Sequence, residues 1–140
     1  MNELAVIFWS GTGNTASMAA AVVEGAGSQA KLVNVNDITA DQAAQYDRLA
    51  LGCPSMGDEV LEEDVFEPFF TALEGQLSGK KVVLFGSYDW GDGQWMRDWC
   101  ERVKEDGAVL FSEEGLICNE TPDDDIQAAC RKLGADLAAW

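Results

Sequence analysis

A chain of 140 residues fits one domain, at about 100 to 200 residues per domain, and folding at that length buries roughly two thirds of the unfolded surface. Nine Lys and Arg against 25 Asp and Glu leave a net charge of -16, and with 47% hydrophobic residues the excess acid belongs on the surface of a folded protein, not in a disordered tail. That field excludes nucleic acid and anionic membrane as partners and favours a partner with a basic patch.

Leu4–Phe8 reads as an apolar strand, followed by a Gly-rich turn and a helix over residues 14–25. A strand at 31–35, a short helix at 40–45 and a buried strand at Arg48–Gly52 come next. After an acidic loop, a helix carrying Phe69, Phe70, Leu73 and Leu77 begins near Pro68, which suits a first turn because proline has no amide proton to leave unbonded. Residues 81–86 form a further strand, Trp95, Trp99 and Val103 recur at helical spacing, and a fifth strand lies within 109–118. Ile126, Cys130, Leu133 and Leu137 make the apolar stripe of a last helix. Five strands alternating with helices imply an α/β fold, residues 1–140 as one domain, with a parallel sheet covered on both faces. Ligands of such sheets sit beyond the carboxyl ends of the strands, at the topological switch point.

No run approaches the ~18 apolar residues of a membrane span, and residues 1–3 lead into the first strand without a basic region or cleavage site, so a cytoplasmic location is expected. The cysteines at 53, 100, 118 and 130 contain no Cys-x-x-Cys pair for zinc or an iron-sulfur cluster and read as reduced thiols; no metal site is expected. With no histidine, the chain lacks His-based triads and the usual general base near neutral pH, so no catalytic residue is assigned.

Three unusual segments fall at strand ends. Ser10-Gly11-Thr12-Gly13-Asn14-Thr15 joins the first strand to the first helix. Its glycines let backbone amides approach an anion, the helix N-terminus offers partial positive charge, and four side chains add hydroxyl or amide donors, where a simple cap needs only one. Gly11-x-Gly13-x-x-Ala16 meets the dinucleotide fingerprint superficially, with Asp37 only loosely in place of the expected acid, and a Walker loop is excluded because no lysine precedes Lys31. Crowded neutral donors without a cation suit a terminal phosphate monoester.

This loop, after a strand ending Ile7-Phe8-Trp9, resembles the FMN phosphate loop of the flavodoxins. The likeness continues through Gly52-Cys53-Pro54-Ser55-Met56-Gly57-Asp58-Glu59 and Phe85-Gly86-Ser87-Tyr88-Asp89-Trp90-Gly91-Asp92-Gly93. It covers essentially the whole chain, and the last strand carries no insertion, as in the short-chain flavodoxins of anaerobic bacteria. The resemblance implies a doubly wound five-stranded parallel sheet of order 2-1-3-4-5 and non-covalent FMN. It also implies a cofactor site made of Ser10, Gly11, Thr12, Gly13, Asn14 and Thr15, of Pro54, Ser55, Met56, Gly57, Asp58 and Glu59, and of Ser87, Tyr88, Asp89, Trp90 and Gly91.

By the same resemblance, Met56 packs on one face of the isoalloxazine, and the Gly57-Asp58 peptide reorients on reduction so that the Gly57 carbonyl accepts from the N5 proton. A type II′ turn there needs φ > 0 at its first central residue, which glycine reaches freely. Glu59 is implied as acceptor for flavin N3, and amides near Asp89 and Gly91 as partners of N1 and the C2 carbonyl. Asp89 stands where short-chain relatives commonly have glycine, and aspartate tolerates the left-handed geometry that keeps the loop shape. Trp90, among Asp and Gly, has no apolar stripe of its own to join and is expected to stack on the ligand. Trp95 and Trp99 are expected in the core, Trp9 beneath the phosphate loop, and Cys53 as a small buried residue. The acids Asp58, Glu59, Glu62, Glu63, Asp64 and Glu67 read as a solvated face or a docking surface.

The function implied is that of a low-potential one-electron carrier, a monomer cycling mainly between semiquinone and hydroquinone, serving reductases and acceptor oxidoreductases that present basic docking surfaces. An FMN-dependent quinone or nitro-compound reductase on the same fold is the alternative, needing an open ring face that Met56 and Trp90 would cover. A magnesium-holding receiver domain is excluded because Phe8-Trp9-Ser10 occupies the place of its acids.

Overall fold

Alternation along the strands divides the apolar residues between two layers. In the computed structural model, which describes residues 4–111 and 114–140, β1 (Leu4–Phe8), β2 (Ala30–Asn34), β3 (Arg48–Gly52) and β4 (Lys81–Tyr88) pair in parallel. The period of two sends Ala5, Ile7, Leu49, Leu51, Val82 and Leu84 to one face and Leu4, Val6, Ala50, Val83 and Phe85 to the other. Strands buried on both faces need helices on both faces. The first face is covered by α2 (Ala40–Ala43), α3 (Phe66–Glu74) and α4 (Gln94–Glu105), the second by α1 (Asn14–Ala26) and α5 (Asp124–Ala139).

The order β2-β1-β3-β4-β5 is the one the resemblance implied. The switch point therefore lies between β1 and β3, where the chain crosses to opposite sides of the sheet. The fifth position departs from expectation by holding two short strands, β5 (Val109–Leu110) and β6 (Leu116–Asn119), both parallel to β4. Lys81 and Val82 of β4 face β5, and Phe85 to Tyr88 face β6, so Val83 and Leu84 are the residues of β4 that neither short strand faces. Part of the strand expected within 109–118, residues 112–113, lies outside the described residues, as do residues 1–3.

Local chemistry explains the boundaries. Thr39 and Gln42 form a reciprocal capping box that starts α2. α3 begins at Phe66, two residues before the start expected near Pro68, which stands at its third residue, and the apolar stripe of Phe69, Phe70 and Leu73 is buried together with Leu77, just past the helix end. Trp95 and Trp99 are core residues as expected; the indole of Trp99 meets Phe66 and Phe70 edge-on at 5.5 and 5.8 Å. The side chain of Arg102 ties α4 to α3 through Glu67 at 2.7 Å and Glu74 at 2.9 Å, and this guanidinium holds the Glu67 carboxyl below the usual range. On the other face α1 and α5 cross so closely that a Cβ on Gly25 would enter the Arg131 carbonyl and one on Gly134 the Val22 carbonyl.

Candidate functional site

Three connections leave the carboxyl ends of β1, β3 and β4 and meet beside one another, because register places Phe8 next to Gly52 and Gly52 next to Phe85. Trp9 N donates to Gly52 O at 3.0 Å, Cys53 N to Phe85 O at 3.2 Å and Ser55 N to Ser87 O at 2.9 Å. The indole of Trp95 donates to Cys53 O at 3.1 Å from below. All three sequence-predicted segments are thus brought to one end of the sheet.

The first segment wraps the N-terminus of α1. Gly13 sits at the cap with φ 99°, and the Oγ of Ser10 accepts from the amides of Gly13 at 3.1 Å and Ala16 at 3.2 Å. Thr12 Oγ1 lies 3.4 Å from the Asn14 amide, while Gly11, Thr12 and Gly13 are exposed. A Cβ on Gly11 would stand 3.1 Å from the Trp9 ring, which supports the loop from beneath as expected. Thr15 behaves differently from its neighbours: it is buried, and its hydroxyl pairs with that of Ser87 at 2.8 Å and accepts from the Ser87 amide at 3.3 Å.

The second segment is a narrow hairpin. Met56 and Val60 exchange backbone hydrogen bonds of 2.8 and 2.9 Å around Gly57, Asp58 and Glu59. Gly57 has the positive φ expected of it, 51°, but three residues lie between the paired ones, so the loop is wider than the two-residue type II′ turn of the sequence reading. The extra residue, Glu59, is itself left-handed at φ 58°. Its carboxylate turns toward the third segment, where Oε1 accepts from Gly93 N at 3.2 Å and Gln94 N at 3.0 Å and caps α4 in place of a side chain on Gly93. A Cβ on Gly91 would lie 2.5 Å from that carboxylate, so glycine is required there for space as well as for its φ of 93°.

In the third segment, Ser87 and Tyr88 belong to β4, two residues beyond the expected strand end. The Tyr88 ring packs on Trp95 with centroids 5.5 Å apart, and its carbonyl accepts from Glu120 N at 2.8 Å and Asn119 Nδ2 at 3.2 Å. Asp89 is exposed and does not adopt the left-handed conformation anticipated for it; Gly91 and Gly93 supply the positive φ values instead. Trp90 is 60% exposed and Met56 37% exposed, uncommon for large apolar side chains that flank one set of loops.

The acidic run splits by environment. Glu62 is buried and cannot belong to a solvated face: its carboxylate accepts from the amides of Asp64, Val65 and Phe66, each at 2.8 Å. Glu67 is bound to Arg102 and Glu59 to α4, leaving Asp58, Glu63 and Asp64 as the exposed members. Nothing in the alternation of the sequence marks Glu62 as different; its place three to four residues before a Phe-rich helix was the available signal. Burial pushes the Cys53 thiol far above its ordinary pKa, consistent with the inert residue expected.

The donor set fits a phosphorylated planar ligand. α1 has no acidic residue in its first turn, whereas α5 carries Asp123, Asp124 and Asp125 at its start, so in a chain of charge -16 this one N-terminus is left able to receive an anion. At the same end of the sheet stand the exposed side chains of Met56 and Trp90, which a flat ring would cover, with exposed Val60 paired to Met56.

The flavodoxin family model matches residues 6–133. The chain belongs to the flavodoxin family. A flavodoxin from Clostridium beijerinckii is 44% identical over 136 residues, spanning 95% of this chain and 97% of the relative. One from Megasphaera elsdenii is 46% identical over 136 residues, spanning 95% and 96%. The solution structure of two-electron reduced Megasphaera elsdenii flavodoxin aligns with a TM-score of 0.87 at 43% identity, covering 98% of this chain and 99% of that one. As a flavodoxin of this short-chain type, the protein has FMN as its cofactor and electron transfer as its function. The reductase reading is not favoured. No helix among the described residues is long and apolar enough to cross a membrane.

Proposed function

We propose that the chain, acting as one unit and as a monomer in the cytoplasm, holds FMN non-covalently across the three loops and carries single electrons at low potential. The observation that supports this most directly is the α1 N-terminus kept free of carboxylates in a strongly acidic chain, beside exposed Met56 and Trp90. Bound FMN supplies the one-electron redox chemistry.

The protein's own residues set where and how strongly it is held. Ser10, Thr12 and Asn14, with the amide of Gly11, offer hydroxyl, side-chain amide and backbone donors to the phosphate; Gly13 shapes the turn, its own amide donating to Ser10, and Thr15 sets the loop in register from its buried pair with Ser87. Pro54 and Ser55 carry the chain from β3 to Met56, and Met56 and Trp90 exclude water from the ring faces. Gly57 provides a carbonyl at a position free to turn over, since no atom lies within 4 Å of where its Cβ would be. Asp58, Glu59, Asp89 and the backbone to Gly91 border the ring edge, and their carboxylates disfavour added negative charge there, which lowers the potential.

Exposed Asp58, Glu63, Asp64 and Asp89 make an acidic rim around the site, while Lys31, Arg48, Lys80 and Lys81 stand at the amino ends of the strands. This separation orients the site toward reductases and acceptor oxidoreductases with basic surfaces. Titration of the apoprotein with FMN and with riboflavin, followed by fluorescence quenching, tests the phosphate loop. FMN is expected to bind at least 100-fold more tightly; equal affinities would refute the assignment.

A further inference from the structure

The Met56–Val60 hairpin stands on a narrow neck between the end of β3 and the start of α3. Glu62 occupies that neck at 6% exposure, and among the described residues no cation pairs with it, although a buried carboxylate is ordinarily paired. It is held by backbone amides instead: Oε2 by Asp64, Oε1 by Val65 and Phe66. Its own amide lies 3.4 Å from Cys53 Sγ, and its carbonyl accepts from Glu67 N at 2.8 Å. One residue therefore joins Cys53, the first residue after β3, to the first turn of α3 and closes the loop that bears Met56 and Gly57.

We propose that Glu62 is a positioning residue for the Gly57 peptide, acting through the Cys53–Glu62 neck. The inference rests on the reading that the hairpin faces the flavin. No atom outside its chain neighbours lies within 4 Å of where a Cβ on Gly57 would stand, so the orientation of its peptide depends on the tie of Glu59 to α4 and on where the ends of the hairpin are held. Met56 and Val60 are paired with each other, which passes the constraint down to Cys53 and Glu62. With three amides bound to two carboxylate oxygens, Glu62→Gln must leave one N–H facing an amide donor, and the neck loosens.

Charge and position make opposite forecasts. Removing a nearby negative charge favours electron uptake and raises the potential. Loosening the neck weakens the acceptor that Gly57 offers after the first electron and proton arrive, which lowers the first one-electron potential. Glu63, exposed in the same run, is the control for charge. Cys53→Ala cuts the neck from its other side without altering the chain's charge at neutral pH, and it remains informative if Glu62→Gln folds poorly.

Spectroelectrochemical titration of the holoproteins, with FMN dissociation constants and amide exchange of the apoproteins, makes the comparison. Glu62→Gln and Cys53→Ala are each expected to reduce the equilibrium constant of the first one-electron step about tenfold, equal to about 59 mV, whereas Glu63→Gln leaves it unchanged or increases it. An increase in Glu62→Gln matching that of Glu63→Gln would mean that only charge acts and would overturn the inference. Faster exchange at Val65 and Phe66 with unmoved potentials would make Glu62 a helix cap alone and overturn it equally. Gly57→Thr separates the two levels: if it shifts the first potential while both neck variants do not, only the role of Glu62 falls. If it too shifts nothing, the hairpin does not face the flavin and the reading beneath falls as well.

Discussion

The hydroxyls of Thr15 and Ser87 are 2.8 Å apart across 72 residues of sequence, joining the first turn of α1 to the end of β4. The bond is buried, and the Ser87 amide depends on the same oxygen, so Thr15→Val leaves a donor and a hydroxyl without a partner. Unsatisfied buried groups cost about 1 to 3 kcal/mol each. Urea unfolding of apoprotein should show Thr15→Val less stable by about 2 kcal/mol, with Thr15→Val/Ser87→Ala losing less than the sum of the single changes. Additive losses would mean that the two side chains do not share a bond.

Gly91 carries a second long-range constraint. Alanine there must both hold φ near 93° and displace the Glu59 carboxylate from the amides of Gly93 and Gln94. Gly91→Ala is expected to lower apoprotein stability by about 2 to 4 kcal/mol from left-handed strain and the lost cap together, as read by thermal melting. Gly13→Ala, at φ 99° but with open space around it, should cost less.

Asp106 gives the protein a pH dependence of unusual sign. Burial of its Oδ2, with Glu74 beside it, raises its pKa to about 6 from the ordinary aspartate value of 3.8. The folded state therefore binds this proton more tightly than the unfolded state, and the group's contribution to stability falls as pH rises from about 4 to about 6. Asp106→Asn should raise the urea midpoint at pH 7 and lose that advantage progressively as pH drops through about 6. A gain independent of pH would exclude titration of Asp106 as the cause.

The acidic rim is tested by place and not by number of charges. Glu63 and Asp64 border the hairpin, whereas Glu24 and Asp47 lie toward the opposite end of the sheet, at the end of α1 and the entry to β3. Asp123 to Asp125 are unsuitable as the remote set, since α5 begins at the carboxyl end of the sheet and Asp123 caps it through Ile126 N at 2.9 Å. Neutralising Glu63 and Asp64 should slow electron transfer to a basic acceptor at low salt more than neutralising Glu24 and Asp47, and the difference should vanish above about 0.5 M salt. Stopped-flow rates against ionic strength measure it; equal slowing would mean that net charge alone matters.

Strand ends and loop composition made most of this legible in the sequence. The short apolar runs marked β1 and β3 to the residue, and the three loop segments declared themselves by glycine and hydroxyl residues in places where no core could use them. What escaped was set by tertiary contact. A carboxylate that binds amides, as Glu62 does, has the same letter as one that faces water, as Glu63 does. Val109 and Leu116 both suit a strand, and only their offsets against β4 reveal that they belong to two separate strands. Gly25 reads as the end of a helix, yet α1 continues to Ala26 and the glycine is there because α5 presses against it.

That helix crossing couples the anion-receiving turn to the far end of the chain. α1 is flanked on the sheet by α5, whose Cys130 and Leu137 are buried with Met18 and Val22 and whose Gly134 meets the Val22 carbonyl. Gly25 and Gly134 leave no room for a Cβ at the crossing, so a side chain at either, remote from every loop of the site, must displace the helix whose N-terminus faces the phosphate loop.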